Sequence, residues 1–371
     1  MINKIVVLTG IFPPEIGGPA TFAATFPNWL EENHFIKSEV ITLIADIPDI
    51  ESSKSKGIYC ISKKQNIIFR ILKTILQIIR RNSKGTIFIA NGLFLEILIA
   101  RIFSKIKFVA KIPGDIVWER SRNLGRTKAN FAEFQNVNLK ARDRINRFIF
   151  TSCLRKAEKI IAPTQQLANI IKNWGIPENK ILVIPNGVDS AIYQPSKIEK
   201  KIDVICVSRL VSWKHIDEII KATAALKLKL VIVGDGPELG NLTSLANSLN
   251  ADVKFIGIVR GEELIKLYQL SRLYILNSSF ELTSYSLIEA QLCGIFSISN
   301  TNTGSADVIV DGKTGILING TDCETLKAAI SNYFRLFERN VSAQVISNYT
   351  KNRFDLGKIY ESIYKSAVIQ E

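Results

Sequence analysis

The chain has 371 residues, of which 47% are hydrophobic and 22% charged, enough apolar content to bury two separate cores and too much for a disordered chain. Its formal net charge of +14 sits in the first 200 residues, which hold 30 Lys/Arg against 16 Asp/Glu, whereas residues 201–371 hold 18 of each. Residues 51–150 alone carry 21 basic against 6 acidic side chains, so something anionic is expected to approach that stretch.

Met1 to Gly10 reads as a buried strand entering a glycine-containing loop; no basic segment with a long apolar core precedes it, and no signal peptide is expected. Short β-branched runs then recur at Lys4–Thr9, Glu39–Ala45, Thr86–Ala90, Lys107–Ile112, Lys159–Ala162 and Ile181–Ile184, the pattern of buried parallel strands between helices. From Ile68 to Arg81, apolar residues at 68, 71, 72, 75, 76 and 79 alternate with Arg70, Lys73, Arg80 and Arg81, which predicts an amphipathic helix with a basic face. Such a helix either packs on the sheet with solvated arginines or lies on a membrane surface. The apolar run Leu93–Ala100 is interrupted by Glu96 and stopped by Arg101, far short of the roughly 20 residues that cross a bilayer. After Asp115 the basic residues Arg120, Arg122, Arg126, Lys128, Lys140, Arg142, Arg144 and Arg147 read as a long loop-like segment.

The turn-rich stretch Pro185 to Pro195, followed by mixed charges up to Lys201, predicts a domain boundary. Beyond it the alternation restarts, with strands expected at Asp203–Ser208, Leu228–Gly234, Val253–Gly257, Leu273–Asn277, Ile295–Ser299 and Gly315–Ile318. The fold class is therefore α/β, two doubly wound units in tandem, with ligands sought at the carboxyl ends of the strands. Five scattered cysteines (60, 153, 206, 293 and 323) fit small core residues in a reducing compartment, and neither disulfide nor zinc is expected.

Four segments carry chemistry. Between Ser279 and Glu289, Glu281 precedes a helix expected to start near Ser284, and Glu289 lies inside it. The free N–H groups of Thr283, Ser284 and Tyr285 would meet a diphosphate, and the two carboxylates would accept hydrogen bonds from sugar hydroxyls. The alternative for the same spacing is that Glu281 caps the helix and Glu289 is merely solvated. In Val207 to Lys214, Arg209 ends a strand and Lys214 precedes a helix, so a planar fork and a point charge would neutralise a pyrophosphate and stabilise it as a leaving group, unless both are ordinary surface charges. Gly17 and Gly18, in the loop after the first strand, permit close backbone approach to a ligand or simply turn the chain. The run Gly234 to Gly240 lacks the dinucleotide spacing and contains Pro237, which argues against a nicotinamide cofactor.

In this order and spacing, Gly17 and Gly18, Pro185 to Asp189, Arg209 and Lys214, Gly234 to Pro237, Glu281 and Glu289, and the tail Ile309 to Leu317 resemble the retaining family-four glycosyltransferases over nearly the whole chain. The resemblance implies a GT-B fold: an acceptor-binding Rossmann-like domain over residues 1–187, a nucleotide-sugar-binding one over 188–353, and a helix of about 354–371 packing back on the first. It implies a hexosyltransferase with no metal and no cofactor, its UDP- or GDP-linked sugar being a co-substrate. Arg209 and Lys214 would hold the diphosphate, Glu289 the ribose and Glu281 the transferred sugar, with Gly17 and Gly18 closing on the donor and Gly234, Leu282, Thr283, Ser284 and Tyr285 completing its site. Asp115 is the candidate replacement for a family histidine, so Glu281, Asp115, Lys214 and Arg209 form the expected catalytic set. Leu282, where the family has glycine, and Asp307, where glutamate is common, leave the donor sugar open.

The basic first half suggests an anionic membrane surface, and with it a cytoplasmic, peripheral enzyme extending a glycan or lipid-linked acceptor in cell-surface polysaccharide synthesis. Two readings of other classes compete: a catalytically silent nucleotide-sugar-binding or membrane-scaffold protein, and a nucleic-acid binder. The latter lacks a recognisable module and leaves both glutamates unexplained, so no nucleic acid is expected.

Overall fold

The computed structural model describes residues 2–15, 17–45, 57–129 and 131–368. The chain divides into two compact units, one of Met1–Pro185 with Gly357–Glu371 and one of Asn186–Leu356.

The first unit is built on seven parallel strands: β1 (Lys4–Thr9), β2 (Lys37–Ile44), β3 (Ile58–Ser62), β4 (Thr86–Asn91), β5 (Phe108–Lys111), β6 (Lys159–Ala162) and β7 (Ile181–Val183), ordered β3-β2-β1-β4-β5-β6-β7. Lys4 sits beside Lys37 on one side and Thr86 on the other, which fixes the register of the central three. Both faces are covered, so Ile5 to Leu8 are all buried and the strand shows no polar alternation. The covering helices are α1 (Gly18–His34), α2 (Ile67–Arg81), α3 (Phe94–Phe103), α4 (Ile116–Asn123), α5 (Ala141–Lys156) and α6 (Gln165–Asn173).

Two of these helices overturn the expected basic loop. Arg120 and Arg122 lie on α4, and Arg142, Arg144 and Arg147 on α5. Some of the arginines are spent internally: Arg126 meets the buried Asp143 at 2.8 Å, and Arg147 meets Asp115 at 2.6 Å and stacks over the Trp174 ring.

The second unit repeats the pattern with β8 (Ile202–Val207), β9 (Leu230–Val233), β10 (Val253–Gly257), β11 (Ser271–Leu276), β12 (Phe296–Asn300) and β13 (Gly315–Ile318), all parallel and ordered β10-β9-β8-β11-β12-β13. Helices α7 (Ile216–Ala225), α8 (Leu239–Ser248), α9 (Gly261–Gln269), α10 (Tyr285–Leu292), α11 (Cys323–Asn332) and α12 (Ala343–Phe354) flank it. Val204, Ile219, Leu230 and Leu273 bury one face, and Ile205, Tyr268, Tyr274 and Leu287 the other. Each such side chain stabilises by about 1.5–3 kcal/mol relative to exposure. In each sheet the strand order reverses at one place, between β1 and β4 and between β8 and β11, and there the loops leaving the carboxyl ends diverge and leave room for a ligand.

The helix expected from about Phe354 starts two residues later, at Leu356. α12 stops at Phe354, Asp355 takes an extended conformation, and α13 (Leu356–Val368) begins. Val188 and Asp355 form a parallel bridge where the two crossings of the chain run side by side. α13 packs in the first unit, with Tyr360 set among Phe22, Phe26 and Trp29, its hydroxyl bonded to Thr25, and Glu361 2.8 Å from His34.

Candidate active site

The loops leaving β8 and β11 flank the reversal point of the second sheet. Ser208 to Lys214, after β8, is anchored by the loop after β9: Leu210 donates its N–H to Asp235 O at 2.9 Å, and Glu238 N–H donates to Leu210 O at 3.2 Å. So close a run leaves no room for side chains. A Cβ at Gly234, whose φ is +135°, would lie 1.9 Å from Ser208 O, and one at Gly236 2.2 Å from Leu210 O. The glycines of this segment therefore serve backbone packing beneath the Arg209 loop. Gly234→Ala is expected to cost about 3 kcal/mol or more and to lower the urea midpoint accordingly; an unchanged midpoint would contradict this account.

A single 3-10 turn, Ser212–Lys214, and a left-handed His215 (φ 43°, ψ 45°) redirect the chain into α7. The loop after β11 is fastened to it, because Ser279 donates its N–H and its hydroxyl to Trp213 O at 3.0 and 3.4 Å. Lys214 Nζ thereby meets Glu281 Oε2 in an ion pair whose side chains are only 14% and 16% exposed, although 67 positions separate them in sequence. Ser278 Oγ adds a 3.5 Å contact to the same carboxylate oxygen, and Gly304 N–H binds Glu281 O at 2.8 Å.

Ser284, not Glu281, caps α10: its Oγ accepts from Leu287 N–H. Leu282, Thr283 and Ser284 are buried, and Tyr285 opens the helix half-buried. Asn186 Nδ2 donates to Thr283 O at 2.9 Å, tying the interdomain segment to this turn. The first turn of α10, with the positive end of its dipole, thus lies directly after Glu281 in the chain.

Glu289 is not a solvated helix residue either. Tyr268 OH donates to its Oε2 at 3.0 Å, and burial pushes its carboxyl pKa up while hydrogen bonds from Tyr268 and Tyr193 oppose that rise. Neither tyrosine was legible as a partner, since Tyr193 sits in the turn-rich stretch before Lys201 and Tyr268 near the end of α9, both far from Glu289 in sequence. Arg209 stands exposed five positions before Lys214, and its guanidinium makes no hydrogen bond or ion pair among the described residues.

The remaining expected residues belong to the first unit. Gly17 is the N-cap of α1 with φ +152°, and Gly18 is its first residue. Asp115 corrects the sequence reading. It is fully buried, Oδ1 accepts from Val117 and Trp118 N–H at 3.0 and 3.3 Å, and Oδ2 accepts from Arg147 and Gln135 at 2.6 and 3.1 Å. With four donors and no exposure, this carboxylate holds α4 and α5 in place and has no free face for acid–base work.

Glu119, on the next turn of α4, is pushed up to about 7 by burial and by the nearby Asp115 charge. Its folded pKa lies above that of an unfolded glutamate, near ~4.3, so its contribution to stability is complete below that value and is lost as pH rises through 7. Glu119→Gln should therefore stabilise the protein by on the order of 2–3 kcal/mol at pH 8, the gain closing towards pH 4. Urea titrations of both proteins across that range would show it, and a pH-independent difference would refute the assignment.

Comparison with known proteins agrees with this geometry. The model of the family described as "Glycosyl transferases group 1" matches residues 189–353, and that of "Glycosyltransferase Family 4" matches residues 54–191. An uncharacterised glycosyltransferase of Methanocaldococcus jannaschii is 26% identical over 98% of this chain and 99% of its own length. A GDP-mannose-dependent alpha-mannosyltransferase of Corynebacterium glutamicum is 32% identical over 46% of this chain and 43% of its own. Among solved structures, that of Anabaena HepE in complex with UDP-glucose superposes with a TM-score of 0.75 at 17% identity, covering 98% of each chain.

Proposed function

Since the chain belongs to the family-four glycosyltransferases of GT-B fold, enzymes that take a sugar from a nucleotide-sugar donor, we propose that it is a retaining, metal-independent hexosyltransferase serving cell-surface polysaccharide synthesis. The observation that carries this reading is the Lys214–Glu281 pair at the reversal point of the second sheet, immediately before the α10 N-terminus. Lys214 and the exposed Arg209 take the donor diphosphate, Glu281 the hydroxyls of the transferred sugar and Glu289 the ribose. Leu282 to Tyr285 and Gly234 belong to the same donor site of the second unit. As the bond from C1 to the phosphate oxygen breaks, the acceptor oxygen bonds to C1 on the same face, and its proton passes to the departing phosphate oxygen.

Curated relatives named for GDP-mannose and for UDP-N-acetylglucosamine both support a nucleotide diphosphate without choosing the base. A thermal-shift series with UDP-, GDP- and ADP-sugars decides it: one class at 100 times its Kd should stabilise by about 2.7 kcal/mol. Silence from all of them would sink the proposal. NMR of the product linkage tests retention, and turnover in EDTA tests independence from metal.

The acceptor is a glycan or a lipid-linked glycan, met at the cytoplasmic face of an anionic membrane. What supports the membrane is the surface of the first unit. Ile68, Phe69 and Leu72 of α2, Ile102 and Phe103 of α3, and Ile145 and Phe148 of α5 are exposed, as are Lys73 of α2 and Arg142 and Arg144 of α5. Exposed apolar and basic side chains on the same helices fit anionic headgroups over acyl chains. Among the described residues no helix is long and apolar enough to cross a bilayer. Liposomes with one-third anionic lipid should carry the protein upward on flotation at low salt and release it at high salt; equal sedimentation with neutral and anionic vesicles would remove the membrane from the proposal.

A further inference from the structure

Within the first unit a cavity of about 420 Å³ opens at the carboxyl ends of β1, β4 and β5, where that sheet reverses its order. Its walls are largely apolar, among them Ile11, Leu43, Ile71, Phe94, Val117 and Phe150. Three charged groups interrupt them: Arg70, Arg120 and Glu96. Burial holds the Glu96 carboxyl above its ordinary range against the pull of both arginines, so the cavity stays cationic whether or not Glu96 is ionised.

Among the described residues, two polar atoms of this wall have no hydrogen-bond partner. Asn91, at the tip of β4, is 2% exposed; its Nδ2 donates to Pro19 O at 3.0 Å, and its Oδ1 has no hydrogen-bond partner among the described residues. Arg70 gives Nη1 to Lys63 O at 3.3 Å, and its buried Nε is likewise unpartnered among the described residues. A buried donor and acceptor left open cost about 1–3 kcal/mol each unless a ligand or water meets them.

The cavity's chemistry is therefore mixed. A free sugar would strand the apolar walls, and an uncharged chain would strand Arg70 Nε and Asn91 Oδ1. An amphipathic anion satisfies both, with an oxyanion toward Arg70 and Arg120 and a protonated oxygen or hydroxyl toward Asn91. At roughly 30 Å³ per water-sized group, the space takes about fourteen such groups, a phosphate and only the start of a chain. The rest has a path out at Ile67, which lines the cavity and is 59% exposed.

We propose that this cavity binds the phosphate end of a long-chain alkyl or isoprenoid phosphate, with the chain leaving past Ile67. The inference rests on the transferase reading above and names the class of its acceptor. Calorimetric titration of the full chain tests it with three probes: dodecyl phosphate below its micelle concentration, inorganic phosphate, and dodecyl maltoside. Dodecyl phosphate should bind at least about tenfold more tightly than either of the others, Arg70→Ala should weaken it by about tenfold or more, and Ile67→Ser, an exposed change the fold tolerates, should weaken it while leaving inorganic phosphate as it was. Equal affinity for inorganic phosphate would assign a free phosphate ligand instead and overturn the proposal, as would equal affinity for the maltoside or an indifferent Arg70→Ala. UDP and GDP titrated into the same samples separate the two readings: nucleotide binding without dodecyl phosphate binding removes this acceptor class alone, and loss of nucleotide binding removes the transferase reading.

Discussion

Lys214→Ala is expected to lower kcat for sugar transfer by about 10²–10³, the range for removing one preorganised group that meets developing negative charge. The effect has two parts. The leaving diphosphate loses a cation, and Glu281 loses the partner that now neutralises it in a largely buried setting. An unpaired carboxylate beside a diphosphate repels it, so nucleotide affinity should fall in the single variant and partly return in Lys214→Ala with Glu281→Gln, while transfer stays low in both. Steady-state kinetics and nucleotide titration of the two single variants and the double one form a double-mutant cycle. Turnover near the parent level in Lys214→Ala would exclude this lysine from the reaction.

Asp115→Ala should act on the other unit and on stability. The change removes the cap of α4 and takes one carboxylate partner from Arg147, a nearly buried guanidinium. Breaking a buried pair from one side costs about 3–5 kcal/mol, whereas Asp115→Asn keeps the capping acceptor and should cost less. Urea denaturation orders the three proteins. If Asp115→Ala kept parental stability but lost transfer, the buried-support account would fail and the carboxylate would return to the reaction itself.

The strands were legible because parallel sheets bury both faces. Lys4–Thr9, Lys159–Ala162, Val253–Gly257 and Gly315–Ile318 match their expected bounds, each an apolar run closed by turn chemistry. Ile58–Ser62 escaped notice, since a five-residue edge strand containing Tyr59 and Cys60 offers little periodicity. α4 and α5 read as loop in the sequence because of their dense arginines; in the fold Arg147 of α5 pairs with Asp115 and Arg126, between the two helices, with Asp143, partners no local window pairs with them. On α2 the spacing announced a helix correctly, but only Thr74, Ile75 and Ile78 are buried, so much of the stripe expected to face the sheet meets solvent. At the candidate site, sequence picked out Lys214, Glu281 and Glu289 by their places at strand ends and on a helix. That Lys214 grips Glu281, and that two tyrosines surround Glu289, follows from strand order, which brings β8 beside β11.

The route of the chain through its two units has a consequence for how the protein is made. Tyr360 fills the aromatic nest of Phe22, Phe26 and Trp29, and Glu361 answers His34, so the first unit, otherwise made by Pro185, lacks its seal until α13 has been synthesised after the second unit. During synthesis at about 5–20 residues per second, the second unit, being continuous, can close first, while the nascent first unit carries bare rings. Ribosome-held fragments halted before α13 should accordingly recruit chaperones that the released protein does not need.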